Sequence, residues 1–242
     1  MINFQELQEG LQDPNIFKAF FLAGGPGSGK SFVVRKTTGG TGLRPVNSDD
    51  AFEAMLDKAG LSLKMPASEE EPREVIRQKS KAITKKREAN YIEGRVGLVI
   101  DGTGKEYDKI ADQSTKLKQL GYDTHMIFVN TSLDVALQRN AERARTVPER
   151  IATQSWKAVQ SNMGKFSQHF RRNMIIVDNN EISKLHKGII MTDIYKQIKS
   201  LLGRPVNNPA AKEWVRMEMK RRGITQAPKG WRVESSQKKL SK

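Results

Sequence analysis

One glycine-rich segment limits what this chain can fold into more than any other feature. Residues 24–31 read Gly24-Gly25-Pro26-Gly27-Ser28-Gly29-Lys30-Ser31, which matches G-x-x-x-x-G-K-S. An apolar run, residues 16–23, precedes the motif, and a helix-like stretch follows it. A strand, a glycine loop and a helix in this order surround a phosphate with backbone N–H groups. The segment therefore predicts a phosphate-binding loop in a parallel α/β sheet.

The loop assigns two side chains to a nucleotide. In this motif the lysine, Lys30, reaches the β- and γ-phosphate oxygens, and the hydroxyl of Ser31 ligates Mg²⁺. ATP and Mg²⁺ are therefore the predicted cofactors. The alternative, a glycine turn that binds nothing, is disfavoured because strand and helix both stand in the expected places. The spacing does not fit G-x-G-x-x-G, which argues against a dinucleotide site.

Further apolar runs extend the predicted sheet to about five strands. Residues 96–100, 126–129 and 174–177 are continuous apolar runs that stop at a polar residue, and residues 44–47 are a weaker candidate because of Pro45. Helical spacing lies between them, at residues 110–120 and 133–145. Strands that alternate with helices predict a P-loop NTPase-type α/β fold, in which helices sandwich a parallel sheet.

Three segments surround or interrupt this predicted domain, residues 16–202. Residues 1–15 form a predicted N-terminal helical arm, and the charged residues 51–95 a helical insertion whose basic stretch is either a solvated face or an anion site. Residues 203–242 are a basic C-terminal extension with a helix from Pro209 to Arg222. Eleven Lys or Arg and three Asp or Glu give this extension an excess of eight positive charges.

Composition restricts the partners. The chain has 42 Lys and Arg against 27 Asp and Glu, a formal net charge of +15, which favours polyanions or phosphorylated small molecules. A soluble enzyme that is merely basic is the alternative. No apolar run approaches the roughly 20 residues of a membrane span, cysteine is absent, and residues 1–6 lack the basic-then-apolar pattern of a secretory signal. We therefore expect no membrane partner and a cytoplasmic location.

Carboxylates follow two of the predicted strands. Asp49 and Asp50 come after the second strand, and Asp101 ends the run 96–100, where a Walker B carboxylate would hold the metal. The carboxyl ends of parallel strands meet at one edge, where ligands of such sheets bind. One member of the Asp49/Asp50 pair is expected to be a helix N-cap. A turn formed with Gly102 is the alternative for Asp101.

The segment 139–150 is a predicted lid. Arg139 and Arg143 are four residues apart on one predicted helical face, where like charges repel unless an anion lies between them. A triphosphate is such an anion, and arginines near it stabilise the charge of a transferring phosphoryl group. A surface helix with ion pairs to Glu142 and Glu149 is the alternative.

These motifs together resemble the kinase domain of phage polynucleotide 5′-hydroxyl kinases and the related zeta-toxin group of P-loop kinases. The resemblance covers about residues 16–180 and rests on the phosphate loop, Asn47 to Asp50, Asp101 to Thr103, and Arg-Asn-x-x-Arg from Arg139 followed by Val-Pro. It implies that Asp49 is the general base, that Asp101 helps to hold the metal or acceptor, and that Arg143 acts from the lid, with help from Arg139.

Two features depart from the polynucleotide kinase pattern, and the first of them leaves the acceptor open. Polynucleotide kinases carry an arginine three residues after the base, where it contacts the acceptor phosphate, and Phe52 stands there in this chain. The phosphatase domain of the bifunctional repair enzymes has no counterpart in the short extension, so we expect no end repair by both activities.

The leading hypothesis is ATP-dependent phosphorylation of a hydroxyl on a nucleic acid or nucleotide, either a 5′-hydroxyl or a hydroxymethylated DNA base. The basic extension, with Trp214 or Trp231, would then help to hold the strand. The second hypothesis is a zeta-toxin-like kinase of a nucleotide-sugar or another small metabolite, with the extension as a packing or partner-binding element. The third is a nucleic-acid-binding ATPase without an acceptor.

Overall fold

The structure is a computed structural model that describes residues 10–64, 66–143, 146–180 and 184–225. These residues form five β-strands and eight α-helices in alternation. In chain order they are β1 (Lys18–Ala23), α1 (Lys30–Thr38), β2 (Arg44–Val46), α2 (Ser48–Lys58), α3 (Glu70–Glu93), β3 (Leu98–Ile100), α4 (Tyr107–Gln119), β4 (Asp123–Asn130), α5 (Leu133–Ala141), α6 (Glu149–Phe170), β5 (Met174–Asp178), α7 (Lys184–Leu202) and α8 (Pro209–Arg222).

All strand pairs of the sheet are parallel. The strand order is β2-β3-β1-β4-β5, so β1 lies at the centre and β3 separates it from β2. In the register, Phe20 of β1 faces Val99 of β3 and His125 of β4. All six residues of β1 are buried, as a central parallel strand requires. The predicted α/β class and the five strands are confirmed.

Helices cover both faces of the sheet, and each face has its own hydrophobic core. On one face, β-strand side chains pack against α4, α6 and α8, with Phe21 and Phe128 among the buried residues. On the other face, Phe20 and Ile127 pack with residues of α1 and α7. Because side chains alternate between the two faces along β1 and β4, each of these strands contributes residues to both cores. None of the helices within the described ranges combines the length and apolar character that crossing a membrane requires.

Two predicted strands are shorter than their apolar runs. The first begins at Lys18 instead of residue 16, because residues 13–17 form a turn in which the Ile16 N–H donates to the Asp13 carbonyl and Phe17 has a φ of 60°. β3 has only three residues. Of the predicted N-terminal arm, residues 1–9 lie outside the described residues, and Gly10–Gln12 form a 3-10 turn.

Helix α8 packs at the amino ends of the strands. Its buried residues Ala211 and Val215 join the core of the α4–α6 face. Trp214 makes an edge-on ring contact with Phe17, just before β1, at a centroid separation of 5.5 Å. The Asn208 side chain caps the helix and donates to the Lys118 carbonyl before β4. The predicted helix is confirmed, but Trp214 lies within the protein's packing, and Trp231 falls outside the described residues.

A buried lysine joins the extension to the sheet. Lys18 is 2% exposed, and its ammonium donates to Asp123 Oδ2 at 2.8 Å and to the Arg204 carbonyl at 2.7 Å. A buried charge is tolerated only when it is paired and hydrogen-bonded. The linker after α7 therefore supplies part of the solvation that Lys18 needs inside β1.

His125 provides a test of the core through pH. The ring is 3% exposed, stacks on Phe20 at 4.7 Å, and has no hydrogen-bond partner at either nitrogen among the described residues. Burial, with the nearby charges of Lys18 and Arg204, lowers the pKa of His125 from 6.5 to about 3. The folded state therefore holds a neutral ring, while the unfolded state takes up a proton below its ordinary pKa.

We predict that the free energy of unfolding falls more steeply with acid in the wild type than in His125→Leu. The sign follows because a lowered folded-state pKa leaves stability intact above pH 6.5 and removes it as the pH drops toward 3. Between pH 7 and pH 5 the difference should be about 2 kcal/mol. Urea unfolding of both proteins at the two pH values measures it. Parallel pH profiles would contradict the buried neutral histidine.

Candidate active site

The carboxyl edge of the sheet collects the polar residues that follow the strands. The phosphate loop starts directly after β1, Asn47 follows β2, Asp101 follows β3, and Asn179 follows β5. Neighbouring parallel strands are about 4.8 Å apart, so these residues form one row along the edge. The row is at the opposite end of the sheet from α8.

The phosphate loop has the backbone conformation that its glycines permit. Gly27 and Gly29 have φ angles of 77° and 79°, in the left-handed region. A Cβ atom at Gly27 would lie 1.9 Å from the Ala136 carbonyl oxygen, and one at Gly29 would lie 2.3 Å from Asn179 Nδ2. The loop can therefore pass between α5 and the end of β5 only without side chains at these positions. Its curvature fits a nucleotide phosphate.

The structure brings Lys30 and Asp101 together. The Lys30 ammonium and Asp101 Oδ1 form an ion pair, and each side chain is 14% exposed. Lys30 begins α1, and Asp101 ends β3, which lies next to β1 in the sheet. The contact joins the cation of the phosphate loop to the carboxylate predicted at the Walker B position.

Asp49 lies in the first turn of α2, and the N-cap of this helix is Asn47. The Asn47 side chain accepts a hydrogen bond from the Asp49 N–H at 2.8 Å, and its amide donates to Asp50 Oδ1 at 3.3 Å. The expectation that Asp49 or Asp50 caps the helix is therefore wrong. Because Asn47 performs that function, both carboxylates are released from it. Asp49 is half-buried and Asp50 is exposed.

Arg139 and Arg143 do not share one helical face, contrary to the sequence prediction. Helix α5 ends at Ala141, so Arg143 lies beyond it and is exposed. The Asn140 side chain accepts from the Val147 N–H at 3.1 Å and donates to the Val147 carbonyl at 2.7 Å. We call this pair of bonds the Asn140–Val147 clasp. Pro148 disfavours a helical Val147, and α5 ends at Ala141 although the helix was expected to continue to residue 145.

Arg139 reaches the phosphate loop from the last turn of α5. Its guanidinium donates to the Asn179 carbonyl at 2.6 Å and, more weakly, to the Asn180 carbonyl at 3.5 Å. The nearest guanidinium nitrogen is 4.0 Å from the place that a Cβ on Gly29 would occupy. Arg139 therefore sits beside the loop, oriented by backbone carbonyls at the end of β5.

Asn179 connects three parts of the site, and the sequence prediction missed it. Its side-chain amide donates to the Ser28 carbonyl at 2.7 Å, its own carbonyl accepts from Arg139, and its N–H donates to the Asn130 carbonyl at 2.8 Å. The residue is 5% exposed. Its position after an apolar run that ends in Asp178 was the only available signal, and that signal is common to many strand ends.

A cavity of about 100 Å³ opens beside Asp101. Its polar lining includes Thr103, Glu106, Lys109 and Gln113, from the loop after β3 and from α4. None of these four was predicted as a site residue. A wider groove of about 530 Å³ lies between α1 and α7, and it includes none of the predicted site residues.

Glu88 of α3 orients one wall of the cavity beside Asp101. The Gln113 amide donates to Glu88 Oε1, and burial raises the pKa of Glu88, while this bond and the charges of Lys109 and Lys85 oppose the rise. The amide of Gln113 is thereby held in one orientation. Helices α3 and α4 thus meet at the cavity through a polar contact.

The residues at the loop suit a magnesium ion that is held mainly by phosphates. Among the described residues, no group of three or more His, Cys, Asp or Glu side chains is arranged to bind a metal. Mg²⁺ usually keeps several waters and takes one or two protein ligands together with substrate phosphates. Ser31 and Asp101 can supply that number of ligands next to the phosphate loop.

An α/β fold with a phosphate loop on β1 and carboxylates on the next two strands defines the P-loop kinase type. The sequence model of the zeta toxin family matches residues 6–189, which is more than half of the chain. The protein therefore belongs to the zeta toxin family. No curated protein shows significant sequence similarity to it.

Two solved structures share the fold at low sequence identity, and a third has a TM-score below 0.5. A candidate kinase from Chloroflexus aurantiacus is 17% identical, with a TM-score of 0.50, and the match covers 76% of this chain and 98% of that one. The structure of AvrRxo1-ORF1:-ORF2 with ATP is 15% identical, with a TM-score of 0.52, and the match covers 77% of this chain and 70% of that one. The PezAT toxin–antitoxin system of Streptococcus pneumoniae is 15% identical, with a TM-score of 0.48, and the match covers 84% of this chain and 93% of that one.

We predict that Gly27→Ala weakens ATP binding by about 100-fold or more, because a displaced loop loses at least two N–H donors to the phosphates. Gly40→Ala is the matched control, since Gly40 has a φ of 74° and nothing within 4 Å of the added Cβ. The control should lose about 1 kcal/mol of stability and keep its affinity. Calorimetric titration with a non-hydrolysable ATP analogue measures both. Equal losses would show that backbone strain, and not the collision with Ala136, governs the loop.

We predict that Asn179→Asp weakens nucleotide binding by about tenfold, because a carboxylate oxygen replaces the donor that faces the Ser28 carbonyl. Asn173→Asp is the matched control. Asn173 also donates to a backbone carbonyl, that of Thr124, but it precedes β5 at the amino edge of the sheet. The same titration applies. Unchanged affinity in Asn179→Asp would remove Asn179 from the phosphate site.

Proposed function

We propose that the protein is an ATP-dependent phosphotransferase that transfers the γ-phosphoryl group to a hydroxyl of a compact acceptor. The observation that carries the proposal is the ion pair between Lys30 of the phosphate loop and Asp101 at the end of β3. It sets the cation for the phosphates beside a carboxylate, with Asp49 following the next strand of the sheet. A site that only bound or hydrolysed ATP would use Asp101 for the metal and would not require Asp49 as well.

Each residue has a chemical role in this proposal. Backbone N–H groups of residues 24–31 and Lys30 bind the phosphates, and Mg²⁺, when bound by Ser31 and Asp101, neutralises phosphate charge. Asp49 orients the acceptor hydroxyl and takes its proton as the new oxygen–phosphorus bond forms and the bond to ADP breaks. Arg139 and Arg143 supply positive charge from the lid side.

The position of α8 supports a compact acceptor over a nucleic-acid strand. Lys18, Phe17 and Lys118, which the extension contacts, lie at the amino edge of the sheet, while Asp49 and Asp101 follow strands at the carboxyl edge. Trp214 is half-buried, contacts Phe17 edge-on and has the Arg95 guanidinium carbon 5.8 Å from its ring centroid, so it is engaged in packing within the protein. The part of the extension that the structure describes is therefore far from the predicted acceptor.

These observations change the order of the hypotheses. A nucleotide, a nucleotide-sugar or another small metabolite becomes the preferred acceptor, and a 5′-hydroxyl or modified base in DNA becomes an outcome of the test. A phage origin, DNA binding, Mg²⁺ dependence and a cytoplasmic location stay predictions from the sequence.

The decisive experiment incubates the protein with γ-labelled ATP and a panel of duplex DNA, single strands, nucleosides, nucleotide-sugars and small polyols. We expect label in at least one small acceptor. Asp49→Asn should slow transfer by about 100-fold to 10,000-fold, the range for loss of a general base, and Lys30→Ala should lose it through the donor. Asp50→Asn is the matched control, because Asp50 is exposed and adjacent in sequence.

Three outcomes separate the hypotheses. Label in no acceptor, together with ATP hydrolysis that survives Asp49→Asn, would contradict the kinase and leave the ATPase. Label only in DNA would contradict the compact acceptor. If DNA is labelled, the double variant Lys212→Glu, Lys220→Glu on the exposed face of α8 tests whether the extension holds the strand.

A further inference from the structure

Near Asp49, on the side of the site where the acceptor is proposed to bind, lies a cation that the proposed mechanism does not use. Arg77 of α3 lies over the ring of Phe52, with its guanidinium carbon 4.2 Å from the ring centroid. Phe52 is 1% exposed, whereas the Arg77 side chain is 32% exposed. The guanidinium carbon therefore lies over a buried ring, while part of the Arg77 side chain is exposed to solvent.

The geometry of α2 and α3 sets Arg77 close to Asp49. The Thr84 hydroxyl lies 3.5 Å from the Asn47 carbonyl, while Arg77 covers Phe52, so the two helices run antiparallel along each other. Phe52 is three residues after Asp49 in α2, a rise of about 4.5 Å. Arg77 thus lies within about one helical turn of the predicted general base, measured along α2.

The positive charge of Arg77 is only weakly compensated by the contact that the structure shows. Its partner is Glu74 on the same helix, with Nε 3.8 Å from Oε2 and a Glu74 side chain that is 55% exposed. Exposed ion pairs at such distances contribute little. Stacking on an aromatic ring holds the guanidinium in place and leaves its in-plane N–H donors available.

A second cation, which belongs to α4, lies at the cavity beside Asp101. Lys109 lines the cavity next to Asp101, and its charge is close enough to affect the half-buried Glu88. Lys85 of α3 acts on Glu88 in the same way. Lys109 thus lies beside Asp101, while Arg77 lies near Asp49, and an arginine that packs on a ring suits a phosphate or carboxylate better than a neutral ligand.

We propose that the acceptor carries an anionic group, in addition to its reacting hydroxyl, and that Arg77 binds this group. The inference rests on the proposed function, because it names the class of molecule that the same site accepts. Arg77 determines specificity through the planar donors of its guanidinium. Phe52 is the buried support that fixes their orientation.

A binding experiment tests the anion site separately from catalysis. The full chain is saturated with a non-hydrolysable ATP analogue, so that the phosphate loop is filled, and titrated calorimetrically with glycerol 3-phosphate, glycerate and neutral glycerol. We expect at least one of the two anions to bind about tenfold more tightly than glycerol, and this preference to disappear in Arg77→Met. Methionine keeps apolar cover over Phe52 and removes the charge.

Two variants distinguish binding from folding. Arg73→Gln is the matched control, because Arg73 is one turn away on α3 and donates to the Pro66 carbonyl; it should keep the preference. Arg77→Lys should restore part of it through charge alone. All variants should bind the ATP analogue as the wild type does.

The outcomes separate this inference from the proposed function. Equal binding of anions and glycerol, or an anion preference that survives Arg77→Met, would overturn the anion site. If the preference depends on Arg77 but no hydroxyl compound is phosphorylated in the labelled-ATP panel, the anion site stands and the kinase proposal fails.

Discussion

The parallel pairing of β3 with β1 is the constraint on which the candidate site depends. It sets the end of β3 beside the phosphate loop, so that Asp101 meets Lys30, and the pairing of β3 with β2 then brings Asp49 to the same edge. Loss of this order would separate donor and acceptor residues even if every motif remained. Gly27 and Gly29 determine the local path of the phosphate loop, because without side chains there the loop can pass between Ala136 and Asn179.

The residues around this edge connect the phosphate loop to the predicted lid. They also connect the region of Asp49 to the insertion, residues 51–95. Asn179 links the loop to Arg139, and the Asn140–Val147 clasp joins the last turn of α5 to Val147, four residues after Arg143. On the other side, Arg77 and Phe52 join α3 to α2 next to Asp49. The insertion therefore contributes Arg77 and Phe52 to the proposed acceptor site, although it reads in sequence as a charged surface helix.

Much of the fold could be predicted from the sequence, and the reasons are local. Apolar runs before polar residues identified four of the five strands, the weaker candidate at residues 44–47 was the fifth, and Asn208 with Gly223 indicated the bounds of α8. Residues whose roles depend on contacts between distant segments were missed, since Asn179, Gln113 and Arg77 have no motif around them. The end of α5 was also missed, because it depends on a side-chain bond from Asn140 to Val147 and not on helical periodicity.

The contact between Lys18 and Arg204 gives the C-terminal extension a structural role that its positive charge does not indicate. The ammonium inside the central strand is solvated by one carboxylate and by the carbonyl of Arg204, just after α7. A chain shortened at residue 202 would leave this cation with half of its polar surroundings and would also uncover the face of Phe17. Residues after 202 are therefore joined to the core of the domain through Lys18, and α8 adds Ala211 and Val215 to the same core. The polar surroundings of a residue in the central strand thus come in part from a segment 186 residues later in the chain.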